Sequence, residues 1–396
     1  MAPAVPATAV PAGLTVMPRA ASTASAVMWP LWAVAFASTS VIVGGIWDIS
    51  WHRTIGRDTF WTPAHLAIYL GGIVAGLSCG WIVIRATFGR DPSAEDASGV
   101  RFWGFRGPLG AWVCIWGSLA MIVSAPFDDW WHNAYGLDVE ILSPPHVVLA
   151  LGIYGIGVGA MLMALARQNG ASATDRMLQL LFLYAGGLQI LMVATLFTEY
   201  LMMPNAHHSP PFFYASAAVF PCLLVAVARG ALSRWGATGA AGVYMGVTLL
   251  MIWILQLFPA QPMLAPILRQ VDHMVPPAFP LLLVVPALAI DIVVNRIPAG
   301  AGRIRQALIA VVAGVAAMLA LTVVQWPFAS FLLTEPARNF FFAADQFGFD
   351  VAPGPFQYEF WGAPMTAGAA GWTGLIAAVS AVAGLVWGNW MARVRR

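Results

Sequence analysis

No lysine occurs in this chain, and charge of either sign is scarce. Nineteen arginines and 17 carboxylates are spread over 396 residues, so 9% of the chain is charged, where a soluble domain carries about 25%. So thin a supply of charge cannot coat a soluble globule of this length. No basic run with interleaved aromatics is present either, which excludes a nucleic-acid surface of the usual kind. Cysteine is nearly missing: Cys79, Cys114 and Cys222 lie inside apolar runs with no Cys-x-x-Cys pair. They read as small core residues and exclude both a disulfide framework and a thiolate metal site. At the N-terminus no apolar core precedes the small residues, so the Ala/Pro-rich segment 1–25 lacks the form of a cleavable signal peptide. It reads as a disordered cytoplasmic tail, and the first apolar run stays as a helix.

Apolar residues make up 60% of the chain, the mean hydropathy is +0.77, and 28 prolines and 38 glycines cluster at the ends of apolar runs. The expected fold is all-α: a polytopic transmembrane bundle of about ten spans. These lie near 27–48, 64–85, 107–127, 145–166, 177–200, 212–230, 238–258, 276–295, 306–326 and 366–391, each close to the ~20 residues that cross a bilayer. All but four of the 19 arginines fall at the termini or in loops after even-numbered spans, the exceptions being Arg53, Arg57, Arg269 and Arg338. Arginine excess marks the cytoplasmic side, so both termini are expected there. The opposite face then gathers all seven histidines and most of the carboxylates. Its longest loop, 327–365, is rich in aromatics and proline and reads as an interfacial cap or re-entrant segment.

Two loops on that face repeat one pattern. Trp47-Asp48-Ile49-Ser50-Trp51-His52, Gly56-Arg57-Asp58 and Thr62-Pro63-Ala64-His65 recur as Phe127-Asp128-Asp129-Trp130-Trp131-His132, Gly136-Leu137-Asp138 and Ser143-Pro144-Pro145-His146. The offset is 80 residues, with one insertion before the last histidine. Asp and His at i and i+4 share a helix face. Thr62-Pro63 and Ser143-Pro144 have the form of a helix N-cap followed by a first-turn proline, which puts His65 and His146 in the first turn of the returning helix. Each hairpin therefore folds one carboxylate and two imidazoles toward a point, a donor set suited to copper, zinc or iron. The metal-ligand candidates are Asp48, His52, His65, Asp128, His132 and His146. Asp58 and Asp138 are candidates to accept from imidazole N–H groups, and Trp51 and Trp131 to support the ligands from beside them. A third loop echoes the pattern weakly. Glu199 ends the fifth run, and His207-His208-Ser209-Pro210-Pro211 precedes the sixth, with Phe212 where the repeat has its second His. Asp272-His273 stands before Pro276-Pro277. These five residues either line the same vestibule or are ordinary polar loop residues.

The first motif, Asp-x3-His-x12-His with Trp51, Arg57-Asp58-Thr59 and Thr62-Pro63, resembles a copper site in a membrane-embedded subunit of the copper membrane monooxygenases, the group of particulate methane and ammonia monooxygenases. The second, Asp128-x3-His132-x13-His146 with Pro144, is similar to that subunit's second copper site, where the family has Asn in place of Asp128. The resemblance covers about residues 30–166. It implies a metal-site region over 26–166 and an additional membrane region over 167–396. It further implies copper at the six ligand candidates and O2-dependent oxidation of a small apolar substrate. The setting implied is a bacterial inner membrane, with the sites on the periplasmic side. Expected partners are the lipid bilayer and either other monooxygenase-type subunits or further copies of this chain. Two alternatives stand beside it: a non-catalytic protein that binds or delivers copper or zinc, and a proton-coupled transporter, for which Asp291 is the main carboxylate inside a span.

Overall fold

A computed structural model describes residues 28–56, 59–89, 99–136, 143–171, 174–200 (backbone only for 198–200), 207–263, 267, 270–345 and 364–395. The helices are α1 (Trp29–Thr54), α2 (Pro63–Phe88), α3 (Leu109–Tyr135), α4 (Pro144–Gly170), α5 (Arg176–Tyr200), α6 (Pro210–Gly230), α7 (Gly236–Leu255), α8 (Val284–Val294), α9 (Arg303–Leu332) and α10 (Ala367–Met391). Among the described residues nine of these are long and apolar enough to cross a membrane, all except α8. The chain is a multi-pass, helical membrane protein. The one departure from an all-α fold among the described residues is a short antiparallel hairpin between α2 and α3, β1 (Val100–Phe102) with β2 (Phe105–Gly107), whose register sets Arg101 opposite Arg106.

The two motif-bearing hairpins, α1–α2 and α3–α4, are each tightly packed pairs, and α2 lies against α3. Small residues permit this closeness, because apolar side chains gain nothing from leaving lipid and helices associate through close backbone approach. A Cβ on Gly117 of α3 would stand 2.6 Å from the Gly152 carbonyl oxygen of α4, and one on Gly152 would stand 2.7 Å from that of Gly117. Gly72 of α2 faces Met121 of α3, and Gly76 faces Ser118. Two turns further along, this antiparallel register brings His65 and Asp128 to the same level. The two motifs therefore sit side by side at one end of the bundle.

The expected span 276–295 is not one helix. Helix α8 begins only at Val284, and residues 274–281 are buried but extended. Pro276, Pro277 and Pro280 remove backbone donors and forbid a continuous helix. Non-helical backbone within a bundle persists only where protein satisfies its polar groups, and neighbouring side chains do so here. Thr54 Oγ1 accepts from Val275 N (2.8 Å), and Ser50 Oγ donates to Val275 O (2.8 Å). Arg53 donates to Pro276 O (3.3 Å). The Tyr244 hydroxyl accepts from Leu281 N (2.8 Å), and Gln325 Oε1 accepts from Leu282 N (3.0 Å). The aromatic loop also starts later than expected. Residues 327–332 belong to α9, two 3-10 turns follow at Glu335–Ala337 and Phe340–Phe342, and 346–363 lie outside the described residues. The tail 1–25 lies outside them too.

Asp291, the carboxylate singled out for proton transfer, closes the start of α7. Its oxygens accept from Ala237 N (3.1 Å), Thr238 N (2.8 Å) and Thr238 Oγ1 (2.7 Å), and the residue is 2% exposed. A carboxylate against the first N–H groups of a helix is a charge-assisted cap. Asp291→Ala is expected to cost about 2 kcal/mol of stability by stranding those donors, measured as a lowered Tm of the detergent-purified protein. Thr238→Ala, which leaves both backbone bonds in place, should cost less than half as much.

Candidate metal centres

Each motif starts at a helix end. Helix α1 stops at Thr54, and Gly56 follows with φ +78; α3 stops at Tyr135, and Gly136 follows with φ +105. That left-handed region suits glycine and terminates a helix, so the repeated Gly turns the chain back at the same point in both hairpins. The next helix begins at Pro63 or Pro144, as expected, with Thr62 or Ser143 at the N-cap. The cap chemistry differs from expectation. Thr62 Oγ1 bonds to the N–H and carbonyl of Thr59 (2.8 Å each) and closes the connecting loop, while Ser143 makes no cap hydrogen bond. The second position of α4 is Pro145, which removes one of the N–H groups such a cap would serve.

In both hairpins one carboxylate lies between two imidazoles. Asp48 Oδ1 stands 3.1 Å from His65 Nε2, and its Oδ2 stands 3.9 Å from His52 Nε2. Asp128 Oδ2 stands 3.3 Å from His132 Nε2, and its Oδ1 stands 3.3 Å from His146 Nε2. Asp128, His132 and His146 each offer a ligand atom within 4.8 Å of the others, a group able to hold a metal ion. Ligands bound at about 2.0–2.2 Å in a tetrahedral shell lie about 3.3 Å from one another. Three of the four N···O separations already have that spacing.

Backbone carbonyls orient two of the imidazoles. His65 Nδ1 is 2.9 Å from Thr59 O, and His132 Nδ1 is 3.2 Å from Gly136 O. A carbonyl only accepts, so Nδ1 carries the proton and the neutral ring turns its Nε2 lone pair toward the carboxylate. Lone pair then faces lone pair unless a cation, metal or proton, lies between them. Asp48 Oδ1 and Asp128 Oδ1 are indeed buried without a hydrogen-bond donor. The donor set and its spacing fit a metal ion at each hairpin. These carbonyls hold the imidazoles in place of the expected carboxylates: Asp58 and Asp138 lie outside the described residues. The Trp131 indole N–H has no partner among the described residues, and its ring packs on Tyr135 at 4.5 Å; Trp51 packs at the edge of the core. Thr59 and Gly136 are the orienting residues that sequence did not single out, since a backbone carbonyl leaves no mark on residue identity.

The weaker candidates do not join these sites. His207, 1% exposed, bonds through Nδ1 to Gln325 Nε2 (3.1 Å) and lies over Phe212, 4.3 Å between centroids. His208 Nε2 bonds Trp326 O and Ser330 Oγ (3.0 Å each). His273 Nε2 pairs with Asp345 Oδ2 (2.9 Å), tying the extended segment to the turn after α9. The Asp272 carbonyl accepts from Ala260 N, and the Glu199 side chain lies outside the described residues. The third loop thus keeps the Ser-Pro-Pro start but puts buried Phe212 where the repeat has a ligand.

No known protein family, curated protein or solved structure matches this chain.

Asp128→Ala should abolish metal binding at the second hairpin and leave the first intact, and Asp48→Ala the reverse; elemental analysis of each purified variant reads this as loss of about half the bound metal. Gly117→Leu, which forces α3 from α4, should act like Asp128→Ala on metal content although it removes no ligand.

Proposed function

We propose that the protein is an oxidoreductase of the copper membrane monooxygenase type, holding copper at Asp48, His52 and His65 and at Asp128, His132 and His146 on the periplasmic face of a bacterial inner membrane. The single observation that supports this most is the pair of carboxylates, each facing two imidazole Nε2 atoms at or near coordination spacing. The resemblance over residues 30–166 supplies the choice of copper. Copper, when bound, supplies one-electron chemistry with O2. The chain's own residues do the rest. Asp48 and Asp128 contribute the negative charge that holds the cation, and Asp128 adds charge where the monooxygenases have Asn. Thr59 O and Gly136 O keep His65 and His132 in the tautomer that presents Nε2. Exposed Phe60, Trp61 and Trp130 beside the motifs offer an apolar rim through which a small apolar substrate arrives from the bilayer. One oxygen atom of O2 enters the substrate and the other leaves as water, with two electrons from a quinol-type donor and two protons.

A second reading, binding or delivery of copper or zinc without catalysis, is favoured by one feature: the His52 side chain is 47% exposed and its Nε2 is the farthest of the four from its carboxylate, as suits a ligand exchanged with a partner. The transporter reading loses its main residue, because Asp291 is occupied as a helix cap.

O2 uptake by copper-loaded membranes with a quinol and short hydrocarbons or ammonia separates the first two. The monooxygenase reading requires substrate-dependent uptake that falls at least about 100-fold in His132→Ala. Copper bound at both hairpins with no substrate-dependent uptake would reject catalysis and leave the binding protein.

A further inference from the structure

We propose that the arginine-rich end of the bundle carries a binding site for an anionic phospholipid, between the α6–α7 linker and the end of α8. A cavity of about 200 Å³ opens there, lined by Arg234, Trp235, Ile292, Asn295 and Arg296. Neither guanidinium has an ion-pair partner among the described residues, although two like charges face one space. The carboxylate nearest in sequence to Arg296, Asp291, is buried and engaged with the start of α7, so it does not neutralise them. The walls are set in place. Asn295 Nδ2 donates to Arg234 O (2.7 Å), joining linker to helix, and the Arg234 guanidinium lies 5.2 Å from the Trp235 ring centre. Two arginines in a cavity recognise a phosphate oxyanion by charge-assisted, fork-like hydrogen bonds.

The surroundings identify that phosphate as part of a lipid. Val285, Leu288 and Ile292 are exposed at spacings of three and four residues, one apolar stripe of α8 that runs out of the cavity. Trp235, also exposed, stands at the rim, where indole rings prefer the bilayer interface. A headgroup phosphate between Arg234 and Arg296 leaves its acyl chain along that stripe. A free phosphate ion has no use for it. Basic pockets between transmembrane helices with an apolar flank take anionic headgroups in this way.

The test uses full-length protein in nanodiscs of phosphatidylcholine, with phosphatidylglycerol titrated in and lipid retention read by native mass spectrometry. Wild type is expected to retain phosphatidylglycerol over phosphatidylcholine. Each arginine near an anionic headgroup is worth about fivefold in affinity, so Arg234→Gln with Arg296→Gln should weaken retention about 25-fold. Both residues are exposed, and the metal content of the variant, expected unchanged, reports that it folds. The control is Arg101→Gln with Arg106→Gln, the same loss of charge on the β-hairpin at the same end, which should retain the lipid. Equal loss in both double variants would reduce the effect to general attraction and overturn the site. So would retention unchanged in the pocket variant, or displacement of the lipid by millimolar inorganic phosphate.

Discussion

Within a bilayer no water completes an open hydrogen bond, and each unsatisfied backbone group costs several kcal/mol. Much of the polar chemistry of this protein answers that constraint. The nine long helices satisfy their own backbones. Where the chain abandons helix, at 274–283, Ser50, Arg53 and Thr54 from α1, Tyr244 from α7 and Gln325 from α9 take up the stranded groups. Where a helix starts in the interior, at Gly236, Asp291 supplies the missing acceptors. Gln325 serves twice, accepting from Leu282 N and bonding His207, so one polar side chain joins the extended segment to the loop before α6.

The same constraint gives the exceptions their meaning. Asp48 Oδ1 and Asp128 Oδ1 are buried acceptors with no donor, in a molecule that elsewhere recruits side chains from three helices to satisfy a stretch of backbone. Each carboxylate is aimed at an imidazole nitrogen, of His65 or His132, whose ring proton is committed to the opposite side. The same unmet need at corresponding positions of a duplicated motif is better explained by a cation than by two independent packing faults. The extended segment is bound to α1 within one or two turns of Asp48, through Ser50, Arg53 and Thr54. The second half of the chain thereby buttresses the first metal-site hairpin, a structural task for residues beyond 166.

The seven histidines divide by the same logic. Four meet carboxylates within the two hairpins. His273 meets Asp345 and His208 meets the Trp326 carbonyl, contacts that fasten loops to α9 and to the turn beyond it. Their residue types alone did not separate these roles, because histidine is both a metal ligand and a ready hydrogen-bonding partner for a loop.

The amino-acid sequence by itself determined the membrane class, nine of the helices to within a few residues, and the two Asp/His/His sets. Hydropathy is a sum over adjacent residues, and each ligand set lies within one hairpin, so both signals are local. It also carried the prolines that break the span at 276–295, though not what replaces the helix. Only the tertiary structure decided that the segment stays buried and which side chains complete it. The same holds for Asp291 as a helix cap rather than a proton carrier, for the carbonyls of Thr59 and Gly136 that turn the imidazoles, and for the close approach at Gly117 and Gly152 that sets the second hairpin. Each of these joins a side chain or backbone group to one whose position is fixed by helix packing, and such a pairing has no spacing in the chain from which to be read.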